Sequence, residues 1–212
     1  MLLTKLETML HELYALEVDY AVNDFLITDA TLAGSLDAGG RKTDEKLLIA
    51  EADGEADVAL YLEQELLERL ARRDPLTRLD AENLADFWAA LEGVSHFTYY
   101  AWNAARDKTV SLFELELQAE VDKFVTTQRL LREQNGRELA GLHGWLFDSP
   151  TLAVDLDETQ RERYRRANRY AAKYCRRLTP VLAGADDAAA QRELRHFYRL
   201  SQTSKLAHID AH

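Results

Sequence analysis

The sequence predicts a mainly α, single-domain bundle of about six or seven helices with one small β-hairpin, and three observations predict it. Only 9 Gly and 3 Pro occur in 212 residues, too few breakers for the many short strands of a sandwich or barrel. Apolar residues recur at three- and four-residue steps along most of the chain, the period of amphipathic helices. One segment departs from that period. Over residues 46–62, LLIAEA and EADVALYL flank Asp53-Gly54, a strong two-residue hairpin signal.

Leu3, Leu6, Leu10, Leu13, Tyr20 and Ile27 predict a first helix from residue 2 to about residue 30, stopping before Ala38, Gly39 and Gly40. The hairpin then pairs Leu47 with Leu60 and Ile49 with Val58 on one face. Two helices broken at Gly54 are the alternative. Residues 63–73 resume helical spacing and end at Asp74-Pro75. Asp80 stands as an N-cap, with Leu79 and Leu84 as a hydrophobic staple, opening a helix to about Arg106. Ser111 and Glu114 form a capping box for a helix to about Asn135; its helical period from Gln118 onward outweighs the strand-like alternation before it. A short helix through Trp145, a loop at Ser149-Pro150, a helix capped by Asp155 and Glu158, and one over residues 188–201 follow. Residues 203–212 are expected to form a frayed tail. No linker divides the chain, so residues 1–212 form one domain.

Charge excludes some partners. The formal net charge is -11, which disfavours nucleic acid and anionic membranes as whole-surface partners. Residues 1–106 carry 9 basic and 21 acidic side chains, net -12, and residues 107–212 carry 17 and 16, net +1. Cys175 is the single cysteine, so neither an intrachain disulfide nor a cysteine zinc motif is available. Glu7, His11, Glu12, Glu17 and Asp19 interrupt any signal-peptide pattern, and no apolar run reaches membrane-spanning length. A cytoplasmic location is the expectation. Phosphate-binding glycine loops and nucleophile elbows are absent.

Two helices carry the candidate chemistry. On residues 81–106, Leu84, Phe87, Trp88, Leu91, Val94, Thr98 and Trp102 form the core face, while Glu92, His96, Tyr99 and Asn103 share one stripe. A Glu and a His four apart can converge on a metal or exchange a proton. Glu116 and Glu120, four apart on the next helix, face them if the two helices pack antiparallel. A divalent metal held by Glu92, His96, Glu116 and Glu120 is one expectation, with Tyr99 or Asn103 orienting a substrate. The plain alternative is surface pairing, including an exposed Glu120–Lys123 ion pair. Carboxylate-bridged metal bundles use two Glu-x-x-His motifs, and here only Glu193 and His196 have that spacing. His208, Asp210 and His212 fall in the expected tail.

Residues 161–177 hold eight Lys or Arg against the single acid Glu162. Arg165, Arg166, Arg169 and Lys173, interleaved with tyrosines, could contact a phosphate ligand, RNA or a protein partner. The apolar seam of Tyr164, Asn168, Ala171, Cys175, Leu178 and Leu182 has helix-pairing spacing, with Cys175 an inert core residue. Pairing of these arginines with the acidic half, within a molecule or across a dimer, leads to a self-associating interaction or structural module as the first functional expectation. A metal or carboxylate–histidine enzyme is the second. Nucleic acid is an unexpected partner on charge grounds.

Overall fold

The first helix, α1 (Leu2–Tyr14), stops well before the end its apolar spacing suggests. Ala15 turns left-handed (φ 49°), its amide donating to the Glu12 carbonyl and that of Leu16 to the His11 carbonyl. Arg195 donates to the carbonyls of Glu12 and Leu13 (3.3 Å each), and Arg199 to that of Ala15 (3.0 Å). Cations thus sit where the helix dipole is negative. An end fixed by such distant residues leaves no mark on local periodicity.

The computed structural model describes residues 1–37, 43–52, 55–136, 141–148, 156–183 and 187–211. After a 3-10 turn (Val22–Phe25) come the short strand β1 (Leu26–Ile27) and helix α2 (Ala30–Leu36), which Asp29 caps by accepting from the Thr31 and Leu32 amides. The expected hairpin follows. Strands β2 (Glu45–Ala52) and β3 (Glu55–Leu62) pair antiparallel with Leu47 opposite Leu60 and Ile49 opposite Val58. β1 joins β3 in parallel, giving the order β1-β3-β2. The Asp53-Gly54 turn, residues 38–40, Ser149-Pro150, Asp155 and His212 lie outside the described residues.

Helix α3 (Gln64–Arg72) is tied to the next helix by a two-pronged Arg69–Asp86 pair, both contacts 2.9 Å. Helix α4 (Leu84–Ala104) begins one turn after the expected Asp80 cap. Asn83 explains the delay, because its side chain donates to the Arg73 and Arg78 carbonyls and accepts from the Asp80 amide. Helix α5 (Leu112–Asn135) has the capping box read from its sequence, and Gly136 ends it at φ 64°. Helix α6 (Leu142–Phe147) is short. Helix α7 (Glu158–Ala183) is entered through reciprocal bonds between Asp157 and Gln160. Helices α8 (Asp187–Arg199) and α9 (Gln202–Asp210) complete the chain.

The α9 helix replaces the expected frayed tail, with Lys205 and Ile209 fully buried four residues apart. With α2 and α9 added, the described residues hold nine helices. None is long and apolar enough to cross a membrane. Residues 93–103 of α4 are all buried, as a helix apolar nearly all round must be at the centre of its bundle. α5 packs along α4, the hairpin, α1 and α3 cover the rest of α4, and α6 and α7 cover α5. Gly93 is where the hairpin comes closest. A Cβ there would stand 2.8 Å from Glu45 Cγ and 3.0 Å from Leu60 Cδ1, so only glycine lets the sheet rest on α4 at this distance.

Candidate metal centre

Strand alternation gives Glu45 the same face as Leu47 and Ile49, so it turns toward α4 beside Gly93. There its Oε1 lies 3.1 Å from His96 Nδ1. The sequence pairs on α4 and α5 do converge: His96 Nε2 is 3.8 Å from Glu116 Oε2, and Lys123 Nζ joins Glu92 (2.5 Å) to Glu120 (2.8 Å). One donor atom from each of Glu45, Glu92 and His96 lies within 4.8 Å of the other two. From α7, Arg163 Nε stands 3.8 Å from Glu116 Oε1, and burial together with the nearby Glu116 carboxylate holds the Tyr164 hydroxyl protonated. The Glu120–Lys123 pair is therefore a buried bridge and not the exposed pair expected. Side-chain exposure is 22% at Glu92 and 8% at His96, so a small solute can reach the rim while the imidazole is nearly dry.

Burial and like charge set the protonation states. Burial works to lower the His96 pKa, but Glu45, then Glu116 and Glu92, outweigh it and hold the imidazole up at about 9. Burial pushes Glu116 up to about 7; His96 opposes this, and Glu92 and Glu45 add to it. Glu45 and Glu120 are also raised, mainly by burial. Burial would lower Lys123, yet Glu120 and Glu92 keep it firmly cationic. With all four carboxylates ionised, they outnumber Lys123, Arg163 and the protonated His96 by one. His96 Nε2 is buried and has no hydrogen-bond partner. Its other ring nitrogen is already held by a carboxylate, the arrangement that orients a metal-binding imidazole.

Glu92, His96, Glu116 and Glu120 are thus brought together as the spacing suggested, but Tyr99 and Asn103 are not part of the group. Tyr99 packs edge-on against Tyr198 and under the Lys205 ammonium, and Asn103 donates to the Tyr99 carbonyl (2.8 Å). They border a second buried network. In it Asp122 accepts from Tyr14, from Ser95 (2.6 Å) and from Gln118 (2.9 Å), while Lys205 donates to Gln118 (2.7 Å). Glu193, of the lone Glu-x-x-His motif, bonds to His208 (2.7 Å) and Tyr174 (3.1 Å), leaving His196 exposed. Sequence reasoning missed Glu45, Arg163 and Tyr164. Glu45 had a signal: it lies one residue outside the expected hairpin of residues 46–62, and extending that strand by one position puts it on the face of Leu47 and Ile49.

The basic helix α7 departs from its expected intramolecular setting. Among the described residues it forms ion pairs with Glu116, Glu158, Glu193 and Asp210, all in the C-terminal half. Arg165 (3.3 Å from Glu158) and Arg169 are exposed, Lys173 meets Asp210 at 2.8 Å, and Arg166 lies over the Phe113 ring at 4.7 Å. Cys175 is fully buried in the seam with Ala171 and Leu178, and burial pushes its thiol well up, away from a reactive thiolate. No protein-family model, curated protein or solved structure matches this chain, so the site is read from its own chemistry.

Proposed function

We propose that the protein binds a divalent metal ion at the α4–α5 cluster, with His96, Glu92 and Glu116 as donors and Glu45 both orienting His96 and available as a further ligand. The observation that carries this reading is the buried, partnerless His96 Nε2 amid carboxylates that outnumber their fixed cations. One imidazole with several carboxylates suits Mn²⁺, Fe²⁺ or Zn²⁺, ions that accept mixed nitrogen and oxygen donors. Lys123 is a permanent cation between Glu92 and Glu120, which favours a single ion over a bridged pair. A bound ion would supply Lewis acidity to a small molecule entering at the Glu92 rim.

Titration of chelator-stripped protein with Mn²⁺ and Zn²⁺ by calorimetry tests the reading. One ion per chain is expected, with His96→Ala and Glu116→Gln each weakening it by about tenfold or more. A folded wild-type protein that takes up neither ion at micromolar concentration overturns it. The other reading, a self-associating interaction module in the cytoplasm, rests on the charge division and on the helix-pairing seam of α7, of which Ala171, Cys175 and Leu178 are buried within the chain. Light scattering across micromolar concentrations decides that part, and a strict monomer removes it.

A further inference from the structure

Helix α7 carries a cationic cluster that the metal centre does not use. Arg169, Lys173 and Arg176 follow one another at steps of four and three along one face. With Arg177, Asn168 and Phe147 they line an open groove of about 690 Å³ beside α6. Among the described residues no carboxylate lines it. Lys173 meets Asp210 where both side chains are half exposed, and Arg177 is fixed by the His208 carbonyl (2.9 Å) and Glu193 (3.4 Å). Arg169 and Arg176 are exposed and have no carboxylate partner among the described residues. Asn168 donates its amide to the Phe147 carbonyl (3.0 Å), which leaves Oδ1 a buried acceptor that receives no hydrogen bond.

We infer that this groove binds a small phosphorylated molecule that also carries a hydroxyl group. The phosphate is taken by the Arg169 and Arg176 guanidinium groups, and the hydroxyl donates to Asn168 Oδ1. Planar guanidinium forks match phosphate oxygens two at a time, which an ammonium does not. A groove of this volume is in the range that holds a sugar phosphate or a mononucleotide. A polymer fits poorly, because the cationic stripe from Arg169 to Arg176 spans only about 10 Å on a chain whose net charge is -11.

Calorimetry at low salt with ribose 5-phosphate, and with inorganic phosphate as the second arm, tests the assignment. Ribose 5-phosphate should bind more tightly than inorganic phosphate. The double variant Arg169→Ala/Arg176→Ala, at exposed positions, should weaken both by about tenfold or more. Asn168→Ala should remove the preference for the sugar phosphate and keep the affinity for phosphate. Four results overturn the inference: no binding of either probe below about 1 mM; undiminished affinity in the double variant; a dimer in light scattering that the double variant dissociates, which assigns the groove to a second copy; or a generic RNA strand binding more tightly than the sugar phosphate.

Discussion

Lys205 shows how a single buried charge sets a pH response. Burial pushes its ammonium down to about 7, against the attraction of Glu114 and Asp122 on α5, while Tyr99 of α4 and Phe197 and Tyr198 of α8 present their rings to it. In the unfolded chain the same group holds its proton to about pH 10.5. Between these values the unfolded state binds one more proton than the folded state, so this residue's contribution to stability rises with pH. Below about pH 7 both states are protonated and the penalty of burying the charge is complete. Lys205→Met keeps the contact with the rings and removes the titration. Urea unfolding of both proteins from pH 6 to 10 should show the wild type gaining on the variant above pH 7; a constant difference would refute this. The opposite slope belongs to His96, whose raised pKa adds stability below its unfolded value of 6.5 that is lost as pH passes about 9. His96→Gln should therefore flatten a fall in stability over that window, readable in the same experiment on metal-free protein.

Elements whose limits are set by their own residues were legible in the sequence. The Ser111–Glu114 box and the Leu47–Leu60 register each depend on neighbours a few positions away or on strand alternation, and both stand as read. Ser111 also donates its single hydroxyl proton either to Glu114 (3.0 Å) or to Gln202 of α9 (2.5 Å), so it joins two elements. Ser111→Ala should cost about 1–2 kcal/mol in chemical denaturation, and a change under about 0.5 kcal/mol would mean that the cap is dispensable. The end of α1 and the existence of α9 were not legible, for different reasons. α1 ends because Arg195 and Arg199 cap it from α8, and α9 has a lysine where an amphipathic pattern calls for an apolar residue. The candidate centre was half legible: the α4 and α5 pairs follow from helical spacing, whereas Glu45 arrives through the sheet. Gly93 is the joint between the two. Gly93→Ala improves helix propensity by about 1 kcal/mol, but it forces the hairpin outward at Glu45 and Leu60, so overpacking of about 1–3 kcal/mol should prevail. Denaturation midpoints measure the balance, and a net stabilisation would show that the hairpin yields easily.

Across the whole molecule, charge is divided along the chain but recombined unevenly in space. Among the described residues the acidic N-terminal half is met by Lys123 of α5 at Glu92 and Arg129 of α5 at Glu12, the α8 arginine Arg195 reaches its backbone carbonyls, and α7 forms its ion pairs within the C-terminal half. The α4–α5 pair is local in sequence, joined by a short turn, and can form early in folding. The contact between Glu45 and His96 bridges 51 positions and requires the hairpin to have docked on α4. Glu92, His96 and Glu116 come together with the α4–α5 pair, whereas Glu45 joins them only when the hairpin has docked, so the full set of donors exists only in the finished structure. Saturating metal should then slow unfolding in stopped-flow denaturant jumps by more than it changes the refolding rate. The metal would serve as a latch on a finished structure: its loss would shorten the lifetime of the native chain more than it alters how the chain is made.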